Sequence, residues 1–268
     1  MIQTSINEIP LLKFESLPQN GRLQQAVFTR RGGTSLAPFD TLNLSISVAD
    51  DVSHVMDNRA LAYGTYDRSM DSLVHAHLIH DDGVAQVTDH DYGRYVGPVD
   101  GLITDQPGCG LTMNYADCAP IILYDPVNHA IGLGHSGWQG TVKDLPGSMV
   151  RTMVKAFGSA PGQLLAAIGP CIGPCCYEVG ERVISAVQQT FENSDSLLQA
   201  STSINNDPVD QDHAYFNLPN ANRDQLRRNG VETIEVTNLC TSCRTDLFFS
   251  HRAEKGQTGR FGALLILE

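Results

Sequence analysis

The chain has 268 residues, 41% of them hydrophobic, which is ample for one large domain or two small ones. Its net charge of −12, from 18 basic and 30 acidic residues, argues against nucleic acid or an anionic membrane as a general partner, because phosphate-rich surfaces need a basic face. No run approaches the roughly 20 apolar residues that span a bilayer. The opening MIQTSINEIPLLKF shows no signal peptide, and the odd set of seven cysteines favours reduced thiols, so the expected location is the cytoplasm.

Residues 1–24 read as an entry strand and turn, and Gln25–Thr29 as a short apolar strand. It leads into Arg30-Arg31-Gly32-Gly33-Thr34-Ser35, a tight loop presenting cations and backbone N–H groups that suit an anion or a sugar hydroxyl. The competing reading is a surface turn with solvated arginines. FDTLNLS continues the loop and offers Asn43 as a ligand-facing amide. Asp57–Tyr63 has helical character, with Val55, Met56, Arg59, Leu61 and Ala62 in a loosely amphipathic set. Leu73–His80 alternates as a strand, Asp81-Asp82-Gly83 is a hairpin turn, and Val84–Thr88 returns. Strand spacing puts His75 and His77 on one face and His80 on the other, so the three are not expected on one ion.

The centre of the chain is Asp100–Gly140. Ala119–Tyr124 and Ala130–Leu133 are apolar runs joined by the turn formers Asp125-Pro126-Val127-Asn128, so they read as a hairpin. Cys118 precedes the first run and His135 follows the second, which brings a thiol and an imidazole to one end of a sheet. Gly132 to Gly137 matches G-x-G-x-x-G, yet it falls mid-chain and no acidic strand end follows it, so a dinucleotide fold is not indicated. Those glycines are expected to let His135 and the backbone approach a ligand. Trp138, the only tryptophan, is placed to stack on a planar ligand or to fill core.

Pro146–Phe157 is an amphipathic helix stopped by Gly158, Gln163–Ile168 a strand, and Glu181–Phe191 a second helix. Between them GPCIGPCC is too constrained by Pro and Gly for regular structure. Cys171, Cys175 and Cys176 read as a packed loop, because adjacent cysteines project apart and no C-x-x-C faces them. Ser194–Asp212 is polar and reads as a mobile excursion. Leu218–Asn229 is a third helix, capped by Asn217 and stopped by Gly230, and Glu232–Thr237 a strand. Cys240-Thr241-Ser242-Cys243 is a C-x-x-C without a second ligand pair after it. Leu264–Leu267 closes the chain as an apolar strand. Interleaved helices and strands, without repeat or linker, read as one domain of mixed α/β type over 1–268.

His80, Cys118 and His135 all fall at strand ends. A His₂Cys set suits Zn²⁺ and also takes copper, with a fourth position open to water. Asp117 is a weaker candidate for general base or substrate partner. The competing chemistry uses Cys118 as a thiolate nucleophile with His135 as its base.

The set FTRRGGTS, FDTLNLS, LIHDDGVAQV, DGLITD, ADCAPIILYD, GLGHSGWQG, IGPCIGPCCYEVG, ANRDQL, CTSCRTDLFFSHR and KGQTGR, in this order, resembles the YfiH-type family, which also carries laccase-domain and polyphenol oxidase-like labels. The resemblance implies a layered α/β sandwich with mixed sheets and a metal triad of His80, Cys118 and His135. It matches Arg30 to the family's loop arginine and Asn43 to its nearby amide. The implied activities are phosphorolysis of adenosine, inosine, guanosine and methylthioadenosine, and hydrolytic deamination of adenosine. The implied partners are a nucleoside and phosphate, with the chain a monomer or weak homo-oligomer. A cysteine-type hydrolase or amidase editing cell-wall precursors, a copper-dependent phenol oxidase, and a silent metal-binding module are the alternatives. The chain departs from the family where Leu78-Ile79-His80-Asp81 replaces its Gln-Val-His-Gly and Gln139 its Arg, and the added carboxylate and lost cation are expected to weaken the hold on an anion.

Overall fold

Three of the longest strands, Ala119–Asp125, Ala130–Ser136 and Phe261–Leu267, are buried at every position. That is why they read as unbroken apolar runs: each is covered on both faces. They lie at the centres of two mixed sheets. The computed structural model describes residues 1–19, 21–200 and 213–268.

The first sheet has the order Ile2–Ile6, Ile9–Lys13, Leu23–Phe28, Phe261–Leu267, Gly110–Tyr115, Leu73–Ala76, Tyr95–Val96. Its first five strands are antiparallel to their neighbours, and the last two pairings are parallel. The second has the order Thr233–Val236, Leu165–Ile168, Ala119–Asp125, Ala130–Ser136, Gly101–Thr104, Val84–Gln86, with parallel pairing only at its two edges. A small third sheet joins Glu178–Gly180, His213–Phe216 and Leu198–Ala200.

The two large sheets face each other. Leu111, Met113, Tyr115 and Leu265 of the first form one apolar cluster with Ile122, Tyr124 and Leu133 of the second. The outer face of the second sheet is covered by Met149, Val150 and Met153 of the helix Leu145–Phe157 and by Leu226 of the helix Leu218–Arg228. Ala62 and Tyr63 of the helix Val52–Gly64 cover Ala26, Phe28 and Leu264 of the first. The expected layered α/β sandwich is therefore present: helix, sheet, sheet, helix. Burying Met149 completely makes it one of the pins of this layering, and its truncation to Ala would cost about 2–5 kcal/mol.

The central hairpin forms in the expected register, with Ala130 opposite Asp125 and His135 opposite Pro120. The hairpin expected over 73–88 does not form. Leu73–Ala76 joins the first sheet and Val84–Gln86 the second, so 77–83 carries the chain from one sheet to the other. Residues 116–118 do the same between Gly110–Tyr115 and Ala119–Asp125. These two crossings meet at one end of the sandwich. The first helix starts earlier than its periodicity indicates, at Val52, where the Asp51 side chain accepts from Ser53 N. It buries Asn58 and Arg59 while leaving Met56 and Leu61 exposed, because the polar pair binds the neighbouring loop, Asn58 donating to Thr41 O and Asn43 O and Arg59 to Leu44 O. Of the polar excursion, Ser194–Leu197 is helical and Leu198–Ala200 a strand; 201–212 lie outside the described residues. Among the described residues no helix is long and apolar enough to cross a membrane.

Candidate active site

His80 and Cys118 sit on the two sheet crossings, and His135 near the end of the central hairpin. Their donor atoms all lie within 4.8 Å of one another. The strand alternation that separates His80 from its neighbours does not apply to it: its backbone is left-handed, with φ +61°, in a turn beyond the strand. Asp100 builds that turn. Its carboxylate accepts from the backbone N–H groups of Ile79, His80 and Asp81 at 3.1, 3.0 and 2.8 Å. The same carboxylate accepts from His135 Nδ1 at 3.3 Å. Burial alone would push its carboxyl up, but the hydrogen bonds from His135 and from the Asp81 and Ile79 backbone hold it below the usual range. That contact engages Nδ1 of His135 and leaves Nε2 as the nitrogen for the cluster.

Burial would likewise raise the Cys118 thiol, but His135 and His80 beside it bring it down to about 6. The same neighbours act in reverse on His135: burial lowers it, while the Cys118 sulfur and the Asp100 hydrogen bond raise it to about 9. The pair is therefore a thiolate beside an imidazole with raised basicity. Gly137 makes room for it, since a Cβ there would lie 2.8 Å from Cys118 Sγ. Gly132 and Gly134 do something else. A Cβ on either would run into Met149, so these two glycines seat the covering helix on the sheet and make no approach to a ligand.

The three donors line a cavity of about 780 Å³. Arg59, Arg252 and Arg260 line it too, together with His75 and Tyr95, whose rings stack at 4.9 Å. Each arginine is held by its neighbours. Arg59 donates to Leu44 O and Tyr95 Oη, Arg252 to Glu178 O, and Arg260 to the carbonyls of Thr258 and Gly259. Among the described residues His75 Nε2 has no partner. Burial, with Arg59 nearby, lowers His75 to about 3, so it is neutral.

Several sequence candidates are placed differently. Arg30 does not line the cavity. Its guanidinium is buried against Phe249 and donates to Asp40 O, Thr245 O and Glu254 Oε1, so it ties loops together. Asn43 is fully buried and works one step back, with Oδ1 accepting from Arg260 N at 2.9 Å. Trp138 packs against the outer core of the second sheet, under Arg182, and Gly137 takes its place at the cavity. Asp117 lines the cavity, but its oxygens accept from Thr241 Oγ1 at 2.6 Å and Arg252 N at 2.7 Å, and its φ is +88°. The departures also lose their force. Asp81 pairs with Lys143 at 2.8 Å, and neither Asp81 nor Gln139 is among the cavity's lining residues. Three arginines line the cavity, of which Arg59 is fully engaged by Leu44 O, Met70 Sδ and Tyr95 Oη.

Asp100 and the arginine trio are what sequence reasoning missed. DGLITD and TGR were visible as motifs, but no local spacing ties either to His135. The C-x-x-C pair also gains what its spacing lacked: Cys240 and Cys243 face Cys175 and Cys176, with all four sulfurs within 4.8 Å of one another.

Residues 24–268 match the family model described as multi-copper polyphenol oxidoreductase laccase. The chain belongs to that family. Within it, the chain is 37% identical over 246 residues to the purine nucleoside phosphorylase YlmD of Geobacillus stearothermophilus, covering 88% of this chain and 87% of the relative. It is 34% identical over 252 residues to the protein of the same name from Bacillus subtilis, covering 90% and 88%. The crystal structure of the hypothetical protein YfiH of Bacillus licheniformis superposes with a TM-score of 0.88 at 33% identity, covering 97% of this chain and 96% of that one.

The laccase family's description implies a metal. The His80–Cys118–His135 donors fit one: a thiolate and two imidazoles within 4.8 Å of one another, with His135 steered by a carboxylate, are the donors and outer partner a borderline-soft divalent ion takes.

Proposed function

We propose that this chain is a metal-assisted purine nucleoside enzyme, with residues 1–268 acting as one catalytic domain in the cytoplasm. It takes adenosine, inosine, guanosine or methylthioadenosine and phosphate for phosphorolysis, and adenosine and water for deamination. The observation that carries the reading is the three-donor cluster on the wall of a 780 Å³ cavity that also presents three anchored arginines and a flat aromatic pair. The names of the relatives support it.

His80, Cys118 and His135 would hold zinc, with copper as the other candidate. When bound, such an ion supplies Lewis acidity at this wall of the cavity. The remaining chemistry belongs to the chain. In phosphorolysis a phosphate oxygen bonds to C1′ of the ribose as the C1′–N9 bond breaks, and the leaving purine takes up a proton. Arg260, with Nη1 fixed on two carbonyls, is preorganised to grip phosphate with the rest of its fork, and Arg252 lies beside it in the lining. Tyr95, half-exposed and stacked on the buried His75, offers a planar face to the base. Asp100 orients His135, and Asp117 positions Arg252 through its backbone. In deamination water adds at C6 and ammonia leaves.

A second reading keeps Cys118 as a nucleophile in a hydrolase or amidase, favoured by the thiolate–imidazole pairing itself. One paired experiment separates them. Protein purified without added metal is assayed for zinc and copper and incubated with adenosine, with and without phosphate, as wild type and Cys118→Ala. Adenine formed only with phosphate marks phosphorolysis, and inosine marks deamination. Full nucleoside turnover in Cys118→Ala sinks the triad. Rapid alkylation of Cys118 in metal-free protein, with no nucleoside turnover after metal is restored, favours the nucleophile.

A further inference from the structure

We propose a second metal site in this protein: a structural zinc held by the four thiolates of Cys175, Cys176, Cys240 and Cys243. The loop carrying Cys175 and Cys176 is folded back on itself, with Cys176 N and Tyr177 N both donating to Gly173 O. That turn cancels the opposed directions of adjacent side chains in a strand, and both sulfurs reach the same partner. Cys243 Sγ lies 3.4 Å from Cys175 Sγ and 3.3 Å from Cys176 Sγ. In a zinc tetrathiolate with Zn–S bonds near 2.3 Å, the edges of the tetrahedron are about 3.8 Å. A thiol poised equally between two others is what a shared ion needs; a disulfide would take one and strand the other.

The surroundings are built for thiolates. Gly173 N donates to Cys240 Sγ at 3.2 Å, the outer-shell contact that orients a metal-bound sulfur. Gly173 lets the two loops pack closely: a Cβ there would sit tightly, 3.3 Å from Cys240 Cβ, with Cys175 Sγ at 3.6 Å. The two loops are registered before the sulfurs meet, through a parallel bridge of Cys171 with Cys240 and a hydrogen bond of 3.1 Å from Thr241 N to Cys171 O. Among the described residues no carboxylate or imidazole joins the four sulfurs in the cluster, and none of the four lines the cavity. Four protein donors with no open position are the mark of a structural site.

Its work would be to clamp the cavity wall. Ile172 and Tyr177, on either side of the first cysteine pair, line the cavity. Ile172 N donates to Asp117 O at 2.9 Å, and Thr241 Oγ1, inside the C-x-x-C, donates to Asp117 Oδ1. Asp117 adjoins Cys118. The zinc thus ties both loops to the backbone that presents the other cluster's thiolate.

The test is metal stoichiometry of the full chain, purified in reductant and measured by elemental analysis and native mass spectrometry. Cys118→Ala, which disables the first cluster, is expected to retain one zinc per chain. Cys240→Ser/Cys243→Ser is expected to lose one equivalent relative to wild type, and the combination of both sets to hold none. Cobalt added to Cys118→Ala is expected to give the strong sulfur-to-metal absorption of a tetrathiolate, absent from the combined variant. Should the cysteine pair variant not fold, the stoichiometry and cobalt spectrum of Cys118→Ala decide alone. The proposal is overturned if Cys118→Ala holds no zinc, or if its mass is lighter by one or two pairs of hydrogens, which would mean the four thiols close as disulfides.

Discussion

The molecule carries two clusters of soft donors, linked through Asp117, and they are built to opposite plans. His80, Cys118 and His135 offer mixed nitrogen and sulfur ligands, line a cavity and leave a side open. Cys175, Cys176, Cys240 and Cys243 offer sulfur alone, close on themselves and stay out of that cavity's lining. The first borrows its orientation from a buried carboxylate, Asp100; the second borrows its own from a backbone N–H, Gly173. The difference teaches that donor count and openness, and not the mere presence of cysteine, separate a site for chemistry from a site for holding shape.

Removing one donor from the open cluster should break the comparison most sharply. Cys118→Ala is expected to lower nucleoside turnover by about 10³-fold or more, the loss of several kcal/mol of transition-state stabilisation, while its melting temperature stays near wild type. Steady-state kinetics beside thermal melts would show it. Asp100→Asn should act more gently on the same cluster. The amide loses the charge and one acceptor serving His135 and the His80 turn, and a 10–100-fold loss of metal affinity or activity is expected, read by chelator competition. For the closed cluster the signature inverts. Cys240→Ser/Cys243→Ser forfeits about 3 kcal/mol of linked metal binding, which for a chain this size lowers the melting point by about 5–10 °C, with a smaller effect on turnover at low temperature. Equal effects of both variants on melting and on turnover would erase the distinction.

The smallest expected effect lies in the cavity wall that serves neither cluster. His75 is held neutral down to about pH 3, whereas an unfolded chain takes its proton near 6.5. The unfolded state therefore gains protons first, and stability falls as pH drops through this window, by about 2 kcal/mol between pH 6.5 and 5. His75→Phe should remove that part of the slope in denaturant unfolding of metal-free protein at both pH values. An unchanged slope would mean that His75 is protonated in place.

Much of this was legible one stretch at a time. The hairpin from Ala119 to Ser136 announces itself through two apolar runs and a turn, and its pairing brings Cys118 and His135 together whatever else the chain does. The helix Leu145–Phe157 is equally plain, down to Gly158 at φ +71°. What failed was everything that depends on which sheet a strand joins. Asp81-Asp82-Gly83 has the local chemistry of a hairpin turn, yet the strands on either side of it belong to different sheets. Arg30 follows two-glycine logic on paper, but Glu254 and Phe249 capture it from more than two hundred residues away. Cys175 and Cys243 meet across 67 intervening positions, a distance at which spacing rules are silent. Asp100 was unreadable for a related reason: its partners are three backbone groups and one imidazole, and none leaves a mark in the sequence.

The strand Phe261–Leu267 lies in the middle of the first sheet, between Leu23–Phe28 and Gly110–Tyr115, and Arg260 stands immediately before it. A ribosome delivers this strand after every other described one. Until it arrives, the first sheet is two halves with a slot between them, and its pairing across more than two hundred residues makes this a slow contact to form. A nascent chain could carry all seven metal donors and still lack the arginine that would grip phosphate, so catalytic competence would switch on only once Arg260 and the strand after it are in place.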